Sequence, residues 1–196
     1  MYWIARRLGL WLFGLVYGLQ VRGRERFPRA GGVLMVLNHT SFLDPILASF
    51  APIREVTWVA RGTLSRSRFY RSLTSPFRVI AIRRGEADLG ALREIVRELR
   101  AGAVVALFPE ETRSPDGALQ DLRAGFHWIA QRAGVPIVPV RIDGAFRAWP
   151  RHRRLPLPFV RIRMEIRAPV DVSSLPRDAA VEVVRRALEP AVGESH

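Results

Sequence analysis

The stretch Gly31-Gly32-Val33-Leu34-Met35-Val36-Leu37-Asn38-His39-Thr40-Ser41-Phe42-Leu43-Asp44-Pro45 decides how the rest of the chain is read. Val33 to Leu37 is an unbroken apolar run introduced by two glycines, with no alternation of polar and apolar positions. Such a run suits a strand buried on both faces, the situation of parallel sheets covered by helices. The polar turn behind it leads into Pro45, a residue suited to the first helical turn, so a short helix is expected to about Phe50 with Asp44 at its N-cap.

The same strand–turn–helix unit recurs down the chain. Residues 55–60 and 77–82 read as strands, with a basic helix over 63–73 between them. Leu89, Leu92, Val96 and Leu99 recur at helical spacing beside Ile95, predicting a helix over 86–100 that Gly102 stops. A buried strand over 103–108, a helix over about 122–133 ending at Gly134 and a strand over 136–142 follow. After an Arg/Pro-rich excursion over 143–158, residues 159–167 alternate apolar and arginine side chains, as a half-exposed strand should. A helix from Pro176 to about Leu188 closes the pattern. The expected fold class is α/β, a single domain with a mostly parallel β-sheet flanked by helices.

Composition agrees and narrows the function. With 196 residues, 48% hydrophobic and 25% charged, the chain has room for one continuous core. It contains no cysteine, which excludes disulfide scaffolds, zinc ribbons, thiol redox chemistry and a cysteine nucleophile. Its 31 basic residues are all arginine and stand against 18 acidic ones, a net charge of +13 that calls for an anionic partner. Nucleic acid, anionic lipid headgroups and phosphorylated substrates all fit that charge.

The amino-terminal segment separates them. Leu8 to Leu19 carries no charge, includes Trp11, Phe13 and Tyr17, follows Tyr2 and Trp3, and is flanked by Arg6, Arg7 and Arg22. A spanning helix needs about 20 predominantly apolar residues, a length reached only if both early arginines are tolerated, and no small-residue cleavage site follows. Aromatic rings with flanking guanidinium groups suit the headgroup boundary instead. Residues 1–21 are therefore expected to form an amphipathic or apolar membrane-associated helix, against the alternative of a helix packed on the domain's own core. A nucleic-acid-binding protein would interleave stacking aromatics with arginine on its sheet. Here the aromatics concentrate at the amino terminus, so the expectation is membrane lipids with anionic headgroups and no nucleic acid.

Two loops carry chemistry, each directly behind a buried strand, where ligands gather in such sheets. In the first, Asp44 stands five residues after His39, close enough for a tight turn to bring its carboxylate to one imidazole nitrogen. That would fix the tautomer and leave the other nitrogen to accept a proton. A helix cap for Asp44 and a backbone contact for His39 are the plainer alternatives. The second loop, Phe108-Pro109-Glu110-Glu111-Thr112-Arg113-Ser114, brings a carboxylate, hydroxyls and a guanidinium together. Arg113 can clamp phosphate oxygens in a bidentate fork, and Glu110 can order it or accept from a hydroxyl.

Together the loops resemble the 1-acyl-glycerol-3-phosphate acyltransferases, the lysophosphatidic acid acyltransferase or glycerolipid acyltransferase superfamily. The family's Asn-His-x-Ser-x-x-Asp block is matched by Asn38, His39, Ser41 and Asp44. Its second block, a strand ending in arginine, is similar to Val79-Ile80-Ala81-Ile82-Arg83-Arg84-Gly85, with the arginine on Arg84 and Arg83 where aspartate is common. Phe-Pro-Glu-Gly-Thr-Arg-Ser is matched by Phe108, Pro109, Glu110, Thr112, Arg113 and Ser114, and the apolar fourth block by Val135-Pro136-Ile137-Val138-Pro139-Val140. The four blocks keep their order over residues 31–144.

The resemblance implies an enzyme, an acyltransferase domain over 22–196, in which a fatty acyl group passes to the free hydroxyl of 1-acyl-glycerol-3-phosphate and gives phosphatidic acid. Other acceptors of the same superfamily are glycerol 3-phosphate, another lysophospholipid or a lyso-aminolipid. His39 would be the general base and Asp44 its orienting carboxylate. Arg84, Glu110, Thr112 and Arg113, with Arg83 and Ser41, would hold the acceptor. No resident cofactor and no metal are implied, acyl-CoA or acyl carrier protein being the donor substrate. The place implied is the membrane's cytoplasmic face, monotopic or peripheral. Glu111 departs from the pattern, standing where the family has a glycine that permits positive φ or close approach to a ligand. Arg61, Arg66, Arg68 and Arg71, around the basic helix, are candidates for headgroups or the phosphates of CoA, and Arg151 to Arg154 for a second membrane-facing patch.

Overall fold

The computed structural model describes residues 2–61, 78–82 and 88–190. Seven strands form one sheet: β1 (Gln20–Arg22), β2 (Val33–Leu37), β3 (Val56–Arg61), β4 (Arg78–Ile82), β5 (Val104–Leu107), β6 (Ile137–Asp143) and β7 (Arg163–Ile166). Their order across the sheet is β1-β7-β6-β2-β5-β3-β4. β6, β2, β5, β3 and β4 are parallel; β7 runs antiparallel to β6, and β1 pairs parallel to β7. The helices are α1 (Tyr2–Tyr17), α2 (Asp44–Ala48), α3 (Leu89–Arg100), α4 (Gly125–Ala133), α5 (Ala145–Ala148) and α6 (Arg177–Leu188). The basic helix expected over 63–73, with Arg66, Arg68 and Arg71, lies outside the described residues, as do Arg83 and Arg84.

β2 occupies the centre of the sheet, and its pleat divides the core. Val33, Met35 and Leu37 face one apolar layer with Phe13 and Tyr17 of α1, Leu47 of α2, Phe50 and Ala145 and Ala148 of α5. Leu34 and Val36 face the other, with Ile95 and Leu99 of α3, Phe126 and Ile129 of α4 and Val184 and Leu188 of α6. All five β2 side chains are fully buried, and burial of side chains this size contributes roughly 1.5–3 kcal/mol each. This is the physical content of the unbroken apolar run.

The layering also positions the loops. The turn leaving β2 goes to α2 on the first layer, whereas the turn leaving its neighbour β5 leads to α4 on the second. Adjacent parallel strands whose exits part to opposite faces leave a crevice at their carboxyl ends. The two chemistry-bearing loops of the sequence border that crevice.

Several boundaries differ from expectation for identifiable reasons. Asp44 is the first residue of α2 rather than its N-cap, which is Leu43, because the carboxylate turns back into the preceding loop. The strand expected over 159–167 pairs only from Arg163 to Ile166, since Phe159 has a φ of 62° that breaks the extended course. β1 is three residues long and carries no apolar run to announce it, and the division expected after residue 21 falls within it.

α1 packs and exposes at once. Phe13 and Tyr17 join the core, while Ile4, Leu8, Trp11, Leu12 and Leu15 form an exposed stripe on the opposite side. Arg6, expected to face headgroups beside Arg7, is buried: its Nε donates to Ser49 O at 3.1 Å, and its Nη2 to Phe50 O at 3.3 Å and Pro52 O at 2.7 Å. The guanidinium thus satisfies carbonyls at and beyond the end of α2 and locks α1 to the domain. At 16 residues α1 is about 24 Å long, short of a hydrocarbon core of about 30 Å. No helix among the described residues is long and apolar enough to cross a membrane.

Replacing Arg6 by Met would take the guanidinium from Ser49 O and Pro52 O in a dry site, Phe50 O keeping Arg24 Nη2 at 3.1 Å, and charge-assisted bonds there are worth about 1.5–3 kcal/mol. Arg6→Met should therefore lower the denaturant-unfolding free energy by about 2–3 kcal/mol, while Arg7→Met, at an exposed position, should shift it by less than about 0.5 kcal/mol. Equal effects would remove the lock.

Candidate active site

The site grows from the end of β2. Asn38 acts as an extra rung of the sheet: its Nδ2 donates to Ile142 O at 2.9 Å and its Oδ1 accepts from Ile142 N at 2.7 Å. The next residues coil around one carboxylate oxygen. Oδ2 of the fully buried Asp44 accepts from the backbone N–H groups of Thr40 at 2.6 Å and Ser41 at 2.7 Å, and meets His39 Nδ1 at 2.9 Å. Its Oδ1 has no hydrogen-bond partner among the described residues. A carboxylate can only accept, so Nδ1 carries the hydrogen and the neutral ring presents Nε2 as its basic nitrogen. The imidazole stacks on Phe108, ring centroids 4.2 Å apart and planes at 21°. With 12% of its side chain exposed, His39 is shielded but reachable.

The loop after β5 holds the first loop by its backbone. Glu110, buried, accepts from His39 N at 2.5 Å through Oε1 and from Gln120 N at 2.8 Å through Oε2. Burial pushes this carboxyl above its usual range, and the two N–H donors pull it partly back. Ser114 N donates to His39 O at 2.8 Å. Both backbone groups of the histidine are thereby fixed by one neighbouring loop.

Arg113 crosses the same turn. Its Nε donates to Ser41 O at 3.2 Å, and its guanidinium carbon lies 4.0 Å from the centre of the Phe42 ring. Stacked this way, the planar group is held flat at the border of the crevice. Thr112 is exposed beside it, its own N–H donating to Glu110 O at 2.7 Å. Glu111, exposed, has a φ of 57°. The left-handed backbone that glycine would supply is thus kept with a side chain attached, a conformation that costs of order 1–3 kcal/mol for a non-glycine residue.

Ser41 has a different use from the acceptor contact expected for it. It is fully buried, its hydroxyl donating to Trp149 O at 2.8 Å and accepting from Leu43 N at 3.1 Å. Phe42 N also donates to Trp149 O, at 3.1 Å. The structure thus brings together His39, Asp44, Glu110, Thr112 and Arg113 in one place and puts Ser41 beneath them as a brace. Sequence reasoning passed over Trp149 and Gln120 and gave Phe108 and Asn38 no role of their own. Phe108 and Asn38 stood inside the quoted motifs, but Trp149 and Gln120 act through a carbonyl and an N–H, which no side-chain pattern reveals.

Comparison with known proteins places this geometry. The family model named Acyltransferase matches residues 18–143. The chain is 26% identical over 138 residues to the 1-acyl-sn-glycerol-3-phosphate acyltransferase of Borreliella burgdorferi, covering 69% of this chain and 54% of that protein. It is 28% identical over 151 residues to the enzyme of the same name from Pseudomonas aeruginosa, covering 74% and 57%. The crystal structure of the 1-acyl-sn-glycerophosphate (LPA) acyltransferase PlsC from Thermotoga maritima superposes with a TM-score of 0.73 at 26% identity, covering 95% of this chain and 74% of that one. The chain spans little more than half the length of these two curated relatives. It belongs to the acyltransferase family.

The two-sided grip of Glu110 has a direct test. In Glu110→Gln the amide NH2 must oppose either His39 N–H or Gln120 N–H, leaving a buried donor unpaired at about 1–3 kcal/mol. Chemical denaturation should register that loss; an unchanged midpoint would mean the carboxylate is not holding the loops together.

Proposed function

We propose that this member of the acyltransferase family moves a fatty acyl group from acyl-CoA or acyl carrier protein to the free hydroxyl of 1-acyl-glycerol-3-phosphate, yielding phosphatidic acid. The observation that carries the reading is the 2.9 Å contact between His39 Nδ1 and Asp44 Oδ2 at the crevice bordered by Arg113. The acceptor is taken from the names of the relatives in Borreliella burgdorferi and Pseudomonas aeruginosa.

In this reading His39 Nε2 removes the proton of the glycerol hydroxyl as its oxygen bonds to the thioester carbonyl carbon. Asp44 holds the ring and stabilises the imidazolium. When the C–S bond breaks, the imidazolium returns its proton to the leaving thiolate, and the enzyme is restored. A thioester is already activated, so no covalent acyl-enzyme is required, and the reaction draws on no metal or resident cofactor. Because Asp44, Glu110 and Ser114 fix His39 before substrate arrives, little ordering remains at the moment of reaction. Arg113 and Thr112, joined by Arg83 and Arg84, bind the acceptor's phosphate and glycerol. Glu110, expected among the acceptor contacts, has one oxygen on His39 N and the other on Gln120 N, and in this reading it acts by holding the histidine.

The exposed stripe of α1, with Trp3 and Trp11 among its rings, supports an interfacial rather than spanning placement, and the proposal puts it on the cytoplasmic leaflet. There the apolar side chains enter the headgroup boundary and Arg7 meets lipid phosphate. A lipid acceptor then reaches the crevice without leaving the membrane. In this reading residues 1–21 are the membrane-associated element and 22–196 the acyltransferase domain, the two sharing β1 and the core contacts of α1.

Purified protein given labelled acyl-CoA and a panel of lysophosphatidic acid, glycerol 3-phosphate, other lysophospholipids and a lyso-aminolipid tests the reading, with the product identified by mass. Phosphatidic acid is expected as the main product. His39→Ala should reduce turnover by about 10²–10⁴-fold, the usual worth of a positioned base. Arg113→Ala should raise the KM for the phosphorylated acceptor about tenfold or more while leaving that for acyl-CoA nearly unchanged. Substantial turnover without His39 would remove it from the mechanism.

A further inference from the structure

Residues 151–159, Arg-His-Arg-Arg-Leu-Pro-Leu-Pro-Phe, are exposed without interruption. Leu155 is 75% exposed, Leu157 45% and Phe159 85%. In the alternation that leads into β7, Val160, Ile162, Met164 and Ile166 point inward, and Phe159 falls on the outward phase occupied otherwise by Arg161, Arg163, Glu165 and Arg167. A large apolar ring stands where the pattern calls for charge. It is held there in a left-handed backbone conformation, φ 62°, which is uncommon and strained for a bulky residue.

What holds it is α1. Phe159 N donates to Val16 O at 2.9 Å and Ile162 N to Tyr17 O at 3.0 Å, so the apolar tip is tied to the end of the helix whose stripe Ile4, Leu8, Trp11, Leu12 and Leu15 is exposed. The other end of the segment reaches the site. Trp149, whose carbonyl receives Ser41 Oγ and Phe42 N, binds Arg153 O through Nε1 at 3.1 Å, and Arg151 Nη1 lies 3.4 Å from Arg113 O. An apolar tip edged by Arg151, Arg153 and Arg154, continuous with a second exposed apolar surface, matches a layer that is apolar inside and anionic at its border.

We infer that the segment 151–159 is a second membrane-docking element, which inserts Leu155, Leu157 and Phe159 into an anionic bilayer beside α1 while its arginines bind headgroup phosphates. It rests on the reading that α1 lies in the interface, and extends it to a loop that is hydrogen-bonded to the histidine-bearing turn through Trp149. The bilayer then has a grip on the crevice from the loop side as well as the helix side. The arginine border decides the occupant in favour of anionic lipid over a second copy of this chain, whose charge of +13 would repel it.

The absence of cysteine allows single-site labelling of the full chain. Phe159→Cys, Trp11→Cys and, on the far layer, Val183→Cys would each carry an environment-sensitive fluorophore. Each is mixed with phosphatidylcholine vesicles containing phosphatidylglycerol, with and without nitroxide-bearing lipid. Expected is a blue shift and strong nitroxide quenching at 159 and at 11, and neither at 183. Leu155→Ser/Phe159→Ser should weaken partition to these vesicles by about tenfold or more, with an unaltered unfolding midpoint excluding a folding defect. Quenching at 11 but not at 159 would overturn the loop proposal and leave the α1 reading standing; quenching at neither would overturn both. A concentration-dependent shift at 159 without vesicles would name a second copy as the occupant and also overturn it.

Discussion

One oxygen atom, Asp44 Oδ2, gathers three donors: the backbone N–H groups of Thr40 and Ser41 and the ring nitrogen of His39. The first two make a tight turn out of a segment that would otherwise continue the direction of β2. The third aligns an imidazole with that turn. A carboxylate buried without such donors would be costly, so the turn cannot relax without exposing a charge to an apolar core. The constraint that shapes the loop is therefore the same one that orients the imidazole of His39.

Around that centre the loop is fixed by three separate strands' worth of chain. Asn38 ties it to β6, Glu110 and Ser114 tie it to the turn after β5, and Trp149 holds it from the segment after α5. Each tie uses a backbone group of the loop or a side chain that copies one. Side-chain position is thus transmitted by the sheet itself, whose central strand is packed between two helical layers. This is preorganisation of the kind on which positional catalysis depends.

The amino-terminal helix combines two environments along one cylinder. Its inner side carries Phe13, Tyr17 and the buried Arg6; its outer side carries an apolar stripe that nothing among the described residues covers. A helix that is apolar on nearly all sides needs two apolar partners. The domain supplies one, and the proposal assigns the other to a lipid surface. The inner side bears out the alternative of a helix packed on the domain's own core, and the outer stripe is the feature on which the proposed membrane placement rests.

Much of this was legible beforehand because the signals were local. The run Val33–Leu37 implied a central strand, Gly102 and Gly134 marked helix ends, and the five-residue step from His39 to Asp44 allowed a carboxylate–imidazole contact. Burial on two faces, left-handed backbone and a short turn each leave a mark within a few neighbouring residues. The tertiary structure alone assigned Glu110 to the backbone of His39, Ser41 and Phe42 to the carbonyl of Trp149, Arg6 to the carbonyls after α2, and Phe159 to the end of α1. Those assignments join groups separated by 43 to 143 positions and mostly engage main-chain atoms, which every residue possesses. Residue type cannot announce a partner that is a carbonyl; only the packing of the sheet and its layers can.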